Sequence, residues 1–360
     1  MSIRKIAVVG AGVIGTHHGL VISQLADRIQ LVAVADINIE RAERLAAERG
    51  GRPFASLTDA LAAVDIDIVV VCTPTGRHGE VAMEALAAGK HVIVEKPAEI
   101  TVERTDEIIE AQQKAGTLVT VISQHRFDPA TDVTLAAIER GELGRLTSGI
   151  ASIDWWRGQS YYDSGDWRGT WALDGGGALM NQGHHSIDLL VWFLGEPVEV
   201  FARTNRLAHE RIEVEDVAVA TIRFADGALG VVHATTAAYP GLRASVGVYG
   251  ERGSAVLEDD RLVYFHAAEG DNPPAYDYGA AGRANQAAKV LPASTLAPGA
   301  PAIAGLATTS HTAQFIDFLD AVEHGRPPLV TTEEAIRTLV VIRGMYESVR
   351  TNALVRLSEL

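Results

Sequence analysis

Five short apolar runs, Ile3–Val9, Leu31–Ala35, Ile66–Cys72, His91–Val94 and Leu118–Ile122, recur through the first third of the chain, separated by stretches with a helical apolar period. Runs rich in Val and Ile without alternation predict strands buried on both faces, and the helices between them predict that those strands are parallel. The helix opening near Val13 carries Leu20 and Leu25 toward Gln30, one near Glu40 carries Ala42, Leu45 and Ala46, and a third spans Val102 to Ala115 with Gly116 as its stop. This pattern belongs to a doubly wound α/β sheet of the Rossmann type.

Beyond Gln124 the pattern changes. Val198–Asn205, Asp216–Phe224, Ala228–Ala237, Arg243–Tyr249, Ser254–Glu258 and Arg261–His266 follow one another with turns between them, Asp226-Gly227 being a hairpin turn. They predict a mixed, largely antiparallel sheet, accompanied by helices at about Ala178–Leu194, Thr312–Glu323 and Thr332–Arg350. The expected organisation is a dinucleotide-binding domain at 1–124 and an α+β domain for substrate binding and oligomerisation at 125–360. Residues 271–309, rich in Ala, Gly and Pro, have little periodicity and read as an active-site cover, an arm on a neighbouring subunit or a partly disordered stretch.

Composition narrows the partners. With 31 basic and 46 acidic residues among 360, the net charge is −15, which disfavours nucleic acid and anionic membrane surfaces. The single cysteine, Cys72, excludes an internal disulfide and reads as a small buried apolar residue; no long apolar run marks a membrane span, and no leader pattern precedes the first strand. A cytoplasmic location is expected. Only five of the 31 basic residues are lysines, and one of them, Lys96, falls at a predicted strand end.

Gly10-Ala11-Gly12-Val13-Ile14-Gly15 follows the first strand and opens a helix, so its amides and helix dipole favour a pyrophosphate. Asp36 ends the second strand, 21 residues after Gly15, where an acid accepts hydrogen bonds from a ribose diol and repels a 2′-phosphate. NAD is therefore favoured over NADP, with Arg41 close enough to weaken the distinction. Ligands in a parallel sheet bind beyond the carboxyl ends of the strands, which adds Ile37, Thr73, Pro74, Glu95 and Lys96 to the expected cofactor crevice.

A second stretch, Gly175 to Asp188, reads GGGALMNQGHHSID. On a continuous helix Asn181, His185 and Asp188 share a face, beside an apolar stripe of Met180, Ile187, Val191 and Leu194. His184, His185 and Asp188 match no usual zinc spacing, so no metal is expected. Just upstream, Trp155, Trp156, Tyr161, Tyr162, Trp167 and Trp171 crowd together with Arg157 and Arg168 interleaved. This suits a polyhydroxylated ring compound, with C–H faces on aromatic rings, although the aromatics could simply pack a domain junction; Arg157 and Arg168 leave room for a carboxylate or phosphate on the substrate or could pair with Asp154, Asp163 or Asp166.

These residues resemble the Gfo/Idh/MocA oxidoreductases, NAD(P)-dependent dehydrogenases of sugars and cyclitols. The resemblance is carried by the glycine turn with His18 after it, Thr73-Pro74 with His78, Glu95-Lys96-Pro97, the stretch from Gly175 to Asp188, Arg126-Phe127-Asp128-Pro129 and the closing helices, and it covers nearly the whole chain. It implies that Lys96 and His185 are catalytic with Asn181 beside them, that His78 belongs to the cofactor crevice, that Lys96-Pro97 is a cis peptide, and that Arg126 meets the substrate together with Asn181 and His185, alongside Trp155, Arg157, Trp167 and Arg168, which the aromatic cluster itself points to. It also implies a homodimer or homotetramer formed through the C-terminal sheet. The usual family motif has Asp where this chain has Asn181; asparagine orients a hydroxyl but does not ionise. The chemistry expected is oxidation of a secondary hydroxyl, His185 taking the proton and Lys96 stabilising the alkoxide. The alternatives are a non-catalytic NAD-binding regulatory protein and an NAD-dependent glycosidase that oxidises its substrate transiently.

Overall fold

The computed structural model describes residues 3–268, 285–291 and 308–360. The stretch expected at 271–309 thus lies outside the described residues, apart from 285–291 and 308–309. The chain forms two compact units. One holds 3–124 with the short return 172–175 and residues 308–339; the other holds 125–171, 176–268, 285–291 and 340–360.

In the first unit six parallel strands, β1 (Arg4–Val9), β2 (Ile29–Ala35), β3 (Arg52–Phe54), β4 (Ile68–Val71), β5 (His91–Val94) and β6 (Val119–Val121), stand in the order β3-β2-β1-β4-β5-β6. The order reverses between β1 and β4, the point at which a doubly wound sheet opens a crevice beyond its strand ends. All four residues of β4 are buried, as expected of a central strand covered on both faces. The three-residue β3 is too short and polar to show in the apolar pattern. The helix Val102–Ala115 has the bounds expected, capped by Thr101 and ended by Gly116 in the left-handed region at φ 66°.

Part of this unit's core comes from far along the chain. Phe315, Phe318 and Leu319 of the helix Thr309–His324 pack with Ile6, Val8, Val21, Ile22 and Ile93. Their i, i+3, i+4 spacing makes one apolar stripe that removes the face of the Rossmann sheet from water. The helix Thr332–Thr351 crosses the division between the units, which falls between residues 339 and 340.

The second unit is built on eight strands, β7 (Leu146–Asp154), β8 (Pro197–Asn205), β9 (Val217–Phe224), β10 (Leu229–Thr235), β11 (Ala244–Gly250), β12 (Gly253–Glu258), β13 (Arg261–Ala267) and β14 (Val355–Arg356), in the order β13-β12-β11-β7-β10-β9-β8-β14. Only the β7–β10 pair is parallel. β7 is central yet escapes the apolar pattern because Thr147, Ser148 and Gly149 interrupt it. Gly149 has a packing reason: a Cβ there would lie 2.7 Å from the side chain of Leu190, whose helix His184–Leu194 covers that face of the sheet. On the opposite face Ile150, Val219, Leu229 and Val231 are exposed, in keeping with the alternating burial of β9.

Candidate cofactor and catalytic sites

The glycine turn sits at the end of β1. Gly10 has φ 97°, and a Cβ on it would lie 2.5 Å from the Cys72 carbonyl oxygen; one on Gly15 would lie 1.9 Å from the Gly10 carbonyl oxygen. A Cβ on Gly12 would meet nothing within 4 Å. Two glycines are therefore demanded by the protein's own packing, while the third borders open space, the position where a pyrophosphate approaches the backbone. No acid stands in the first turn of the helix Val13–Gln24 and no side chain caps it, which leaves its N-terminal amides to an anion. Asp36 accepts hydrogen bonds from the Ala11 amide at 2.7 Å and the Asn38 amide at 2.8 Å, and each oxygen retains a lone pair for a ribose hydroxyl. Beside them Val13 is 76% and Ile37 100% exposed, an apolar surface suited to a base, and Ile14 packs on the core. Arg41 is exposed at the start of the helix Ile39–Arg49. The Thr73 hydroxyl, next to Pro74, is buried without a partner. These residues fit NAD.

Two residues expected on the cofactor also hold the strand ends. Both ring nitrogens of His78 face carbonyl oxygens, Pro97 at 2.8 Å and Thr73 at 2.9 Å, so the ring clamps the ends of β4 and β5 together. Burial lowers its pKa, against the pull of the Pro97 carbonyl and Glu95. Glu95 bonds His18 Nε2 at 2.7 Å and accepts the Lys96 amide at 3.1 Å. Burial alone would raise its pKa, but the His18 hydrogen bond and the charges of His18, His311 and Lys96 hold it at about 2. This ionised carboxylate fixes the backbone of Lys96, whose bond to Pro97 is cis. His17 and His311 complete the buried cluster, 3.2 Å apart. His311 lies too far along the sequence for any local pattern to reveal it. Burial pushes the Cys72 thiol well above its ordinary value, as befits an inert packing residue.

In the second unit the histidine stretch departs from a single helix. Ala178–Gln182 forms a π-helical turn, and the α-helix starts only at His184. A π turn holds more residues than an α turn, so the face expected of Asn181, His185 and Asp188 does not run through one α-helix; His185 and Asp188 remain three residues apart on the α-helix, and Asn181 precedes it in the π turn. The buried Glu215 caps its start, accepting hydrogen bonds from the Gly177 amide at 3.1 Å, the Leu179 amide at 2.8 Å and the Tyr346 hydroxyl at 2.9 Å. A Cβ on Gly177 would lie 1.9 Å from the Glu215 carbonyl oxygen.

Asp188 binds Arg126 through a bidentate pair at 2.7 and 2.9 Å, both residues being 2% exposed. Arg126 also lies over the Trp192 ring at 4.7 Å, so it anchors the helix His184–Leu194. The ring of His185 meets that of His125 edge-on, centroids 5.0 Å apart. Burial would lower the pKa of His125, but the Asp260 and Asp128 carboxylates, 2.9 and 2.8 Å from Nδ1, hold it at about 10. Asp260 stands on the tight turn between β12 and β13, at φ 65°, and no sequence signal tied it to this site. Arg157 and Arg168 pair with none of Asp154, Asp163 and Asp166; they stack on Trp155, Tyr161 and Trp167.

The glycine turn at a topological switch point and the acid ending β2 define a dinucleotide-binding protein. Residues 4–123 match the oxidoreductase family with an NAD-binding Rossmann fold, and residues 134–256 match the GFO/IDH/MocA C-terminal domain. Inositol 2-dehydrogenase of Rhizobium meliloti is 30% identical over 76% of this chain and 82% of its own, and myo-inositol 2-dehydrogenase of Thermotoga maritima is 26% identical over 99% of both. The WlbA dehydrogenase from Bordetella pertussis, solved in complex with NADH and UDP-GlcNAcA, superposes with a TM-score of 0.87 at 32% identity, covering 98% of this chain and 97% of that one. The chain belongs to the Gfo/Idh/MocA oxidoreductases. No helix among the described residues is long and apolar enough to cross a membrane.

Proposed function

We propose that this protein is a dehydrogenase that oxidises a secondary hydroxyl of a sugar or cyclitol with NAD. The observation that carries the reading is Lys96: it stands at the end of β5, in the same row of strand ends as the glycine turn and Asp36, its backbone fixed by an ionised Glu95. The relatives named for inositol 2-dehydrogenation support the substrate class. NAD, when bound, supplies the acceptor for the hydride that leaves the carbinol carbon. His185 takes the hydroxyl proton, a task suited to imidazole near neutral pH. The ammonium of Lys96 stabilises the oxygen as it becomes alkoxide-like, and a compact cation can approach that oxygen more closely than a guanidinium fork. Asn181 orients the hydroxyl.

The test follows absorbance of the reduced nicotinamide with a panel of sugars and cyclitols. His185→Ala and Lys96→Ala should each lower turnover, Lys96→Ala by on the order of 10²–10³, while calorimetry still detects NAD binding. Turnover undiminished in either variant would remove that residue from the mechanism.

A further inference from the structure

We propose that the substrate carries an anionic group, a carboxylate or a phosphoryl, and that Arg157 and Arg168 bind it. The inference rests on the dehydrogenase reading and deepens its substrate class. Arg157 lies 4.9 Å from the centroid of Trp155 and 5.4 Å from that of Tyr161; Arg168 lies 4.3 Å from the same Tyr161 ring and 4.4 Å from Trp167. All five side chains are half-buried. Two guanidinium groups are thus partly removed from water, and among the described residues no carboxylate lies within ion-pair distance of either.

Acids were at hand. The chain has 46 acidic residues, and three fall between positions 154 and 166. Asp154 is held by His233 at 2.6 Å and Asp163 by Arg211 at 2.8 Å, while Asp166 is exposed and bonds neither arginine. Ring faces attract a cation but leave its N–H donors unsatisfied. Arg157 uses two donors, to the Trp156 carbonyl at 3.2 Å and to Gln182 Oε1 at 2.7 Å, and the Arg168 guanidinium uses none toward a described residue. What remains is a pair of planar forks preorganised by aromatic stacking, the geometry that takes a carboxylate or phosphoryl oxygen pair. Gln182, next to Asn181 in the π turn, ties the cluster to that turn: it accepts from Arg157 and donates to the hydroxyl of Tyr161, the ring that both arginines face, at 3.0 Å.

The protein loaded with NAD is assayed with neutral hexoses and cyclitols, hexuronates, hexose phosphates and nucleotide-diphosphate hexoses at one ionic strength. Calorimetry on the NADH-loaded protein measures binding of the same compounds. At least one anionic class should exceed its neutral parent about a hundredfold in kcat/KM, and the uronate and phosphate arms tell which anion is read. Arg157→Gln and Arg168→Gln should each reduce that ratio about tenfold to a hundredfold, chiefly through KM, the loss of a charged hydrogen bond. Arg168→Lys, which keeps the charge and loses the fork, should recover part of it. Neutral sugars oxidised as well as their anionic counterparts, or a ratio unmoved in both Gln variants, would overturn the inference and leave the dehydrogenase reading standing. NADH formation from none of the compounds would overturn that reading instead. Calorimetry then decides the anion site by itself: arginine-dependent binding of an anionic hexose upholds it, and its absence overturns it.

Discussion

Glu215→Gln tests what holds the π turn. The carboxyl of Glu215 is 4% exposed, and burial pushes it up to about 7 despite the amide and hydroxyl donors that favour its ionised form. A carboxyl raised in the folded state keeps its proton where the unfolded chain has already released it. Its contribution to stability is therefore greatest below the unfolded value of 4.5, falls as pH rises, and is fully lost above about 7. The interval of about 2.5 pH units, at about 1.4 kcal/mol each, amounts to on the order of 3 kcal/mol. Glutamine keeps an oxygen for the Leu179 amide and does not ionise. All five tryptophans, at 155, 156, 167, 171 and 192, lie in the second unit, so their fluorescence in urea reports that unit alone. Between pH 5 and 8 the wild type should lose most of this amount, about 2.5 kcal/mol, relative to Glu215→Gln. Since every other group is common to both proteins, parallel curves would refute the claim that burial governs Glu215.

Two further substitution sets separate function from packing. Gly12→Ala places its Cβ in open space and should leave thermal stability within about 0.5 kcal/mol, while calorimetry shows NAD binding weakened at least about tenfold. Gly15→Ala drives its Cβ toward the Gly10 carbonyl and should cost about 1–3 kcal/mol in stability as well; equal destabilisation by both would contradict the division of roles. Asp188→Ala strands a buried Arg126 and should cost about 3–5 kcal/mol in chemical denaturation. A variant of undiminished stability that lost only turnover would instead place Asp188 in the chemistry.

The sequence by itself determined the local grammar of the Rossmann unit. Each apolar run buried on both faces became a strand, and Gly10, Gly12 and Gly15 with Asp36 stand where strand and helix ends require them, because those signals depend only on neighbours a few residues away. Lys96 could be singled out as a rare lysine at a strand end, and the cis bond beside it was implied by family resemblance.

Tertiary structure decided what each polar residue does. Two carbonyls on neighbouring elements take both ring nitrogens of His78, and His18 takes one oxygen of Glu95, partners that their positions in the sequence do not show. Arg126, expected at the substrate, is paired with a buried Asp188 that lies 62 residues away. The single helix expected from Ala178 to Leu194 is a π turn followed by an α-helix, and the amides at its start are capped by Glu215, distant in sequence. The Phe315 stripe closes the core of the first unit although some 200 residues separate it from that unit's last strand. Hydrophobic periodicity is a local property that one segment carries alone. The partner of a buried charge, the ionisation of a carboxyl and the break in a helix depend on whatever the fold brings alongside, and no neighbouring residue in the sequence records that.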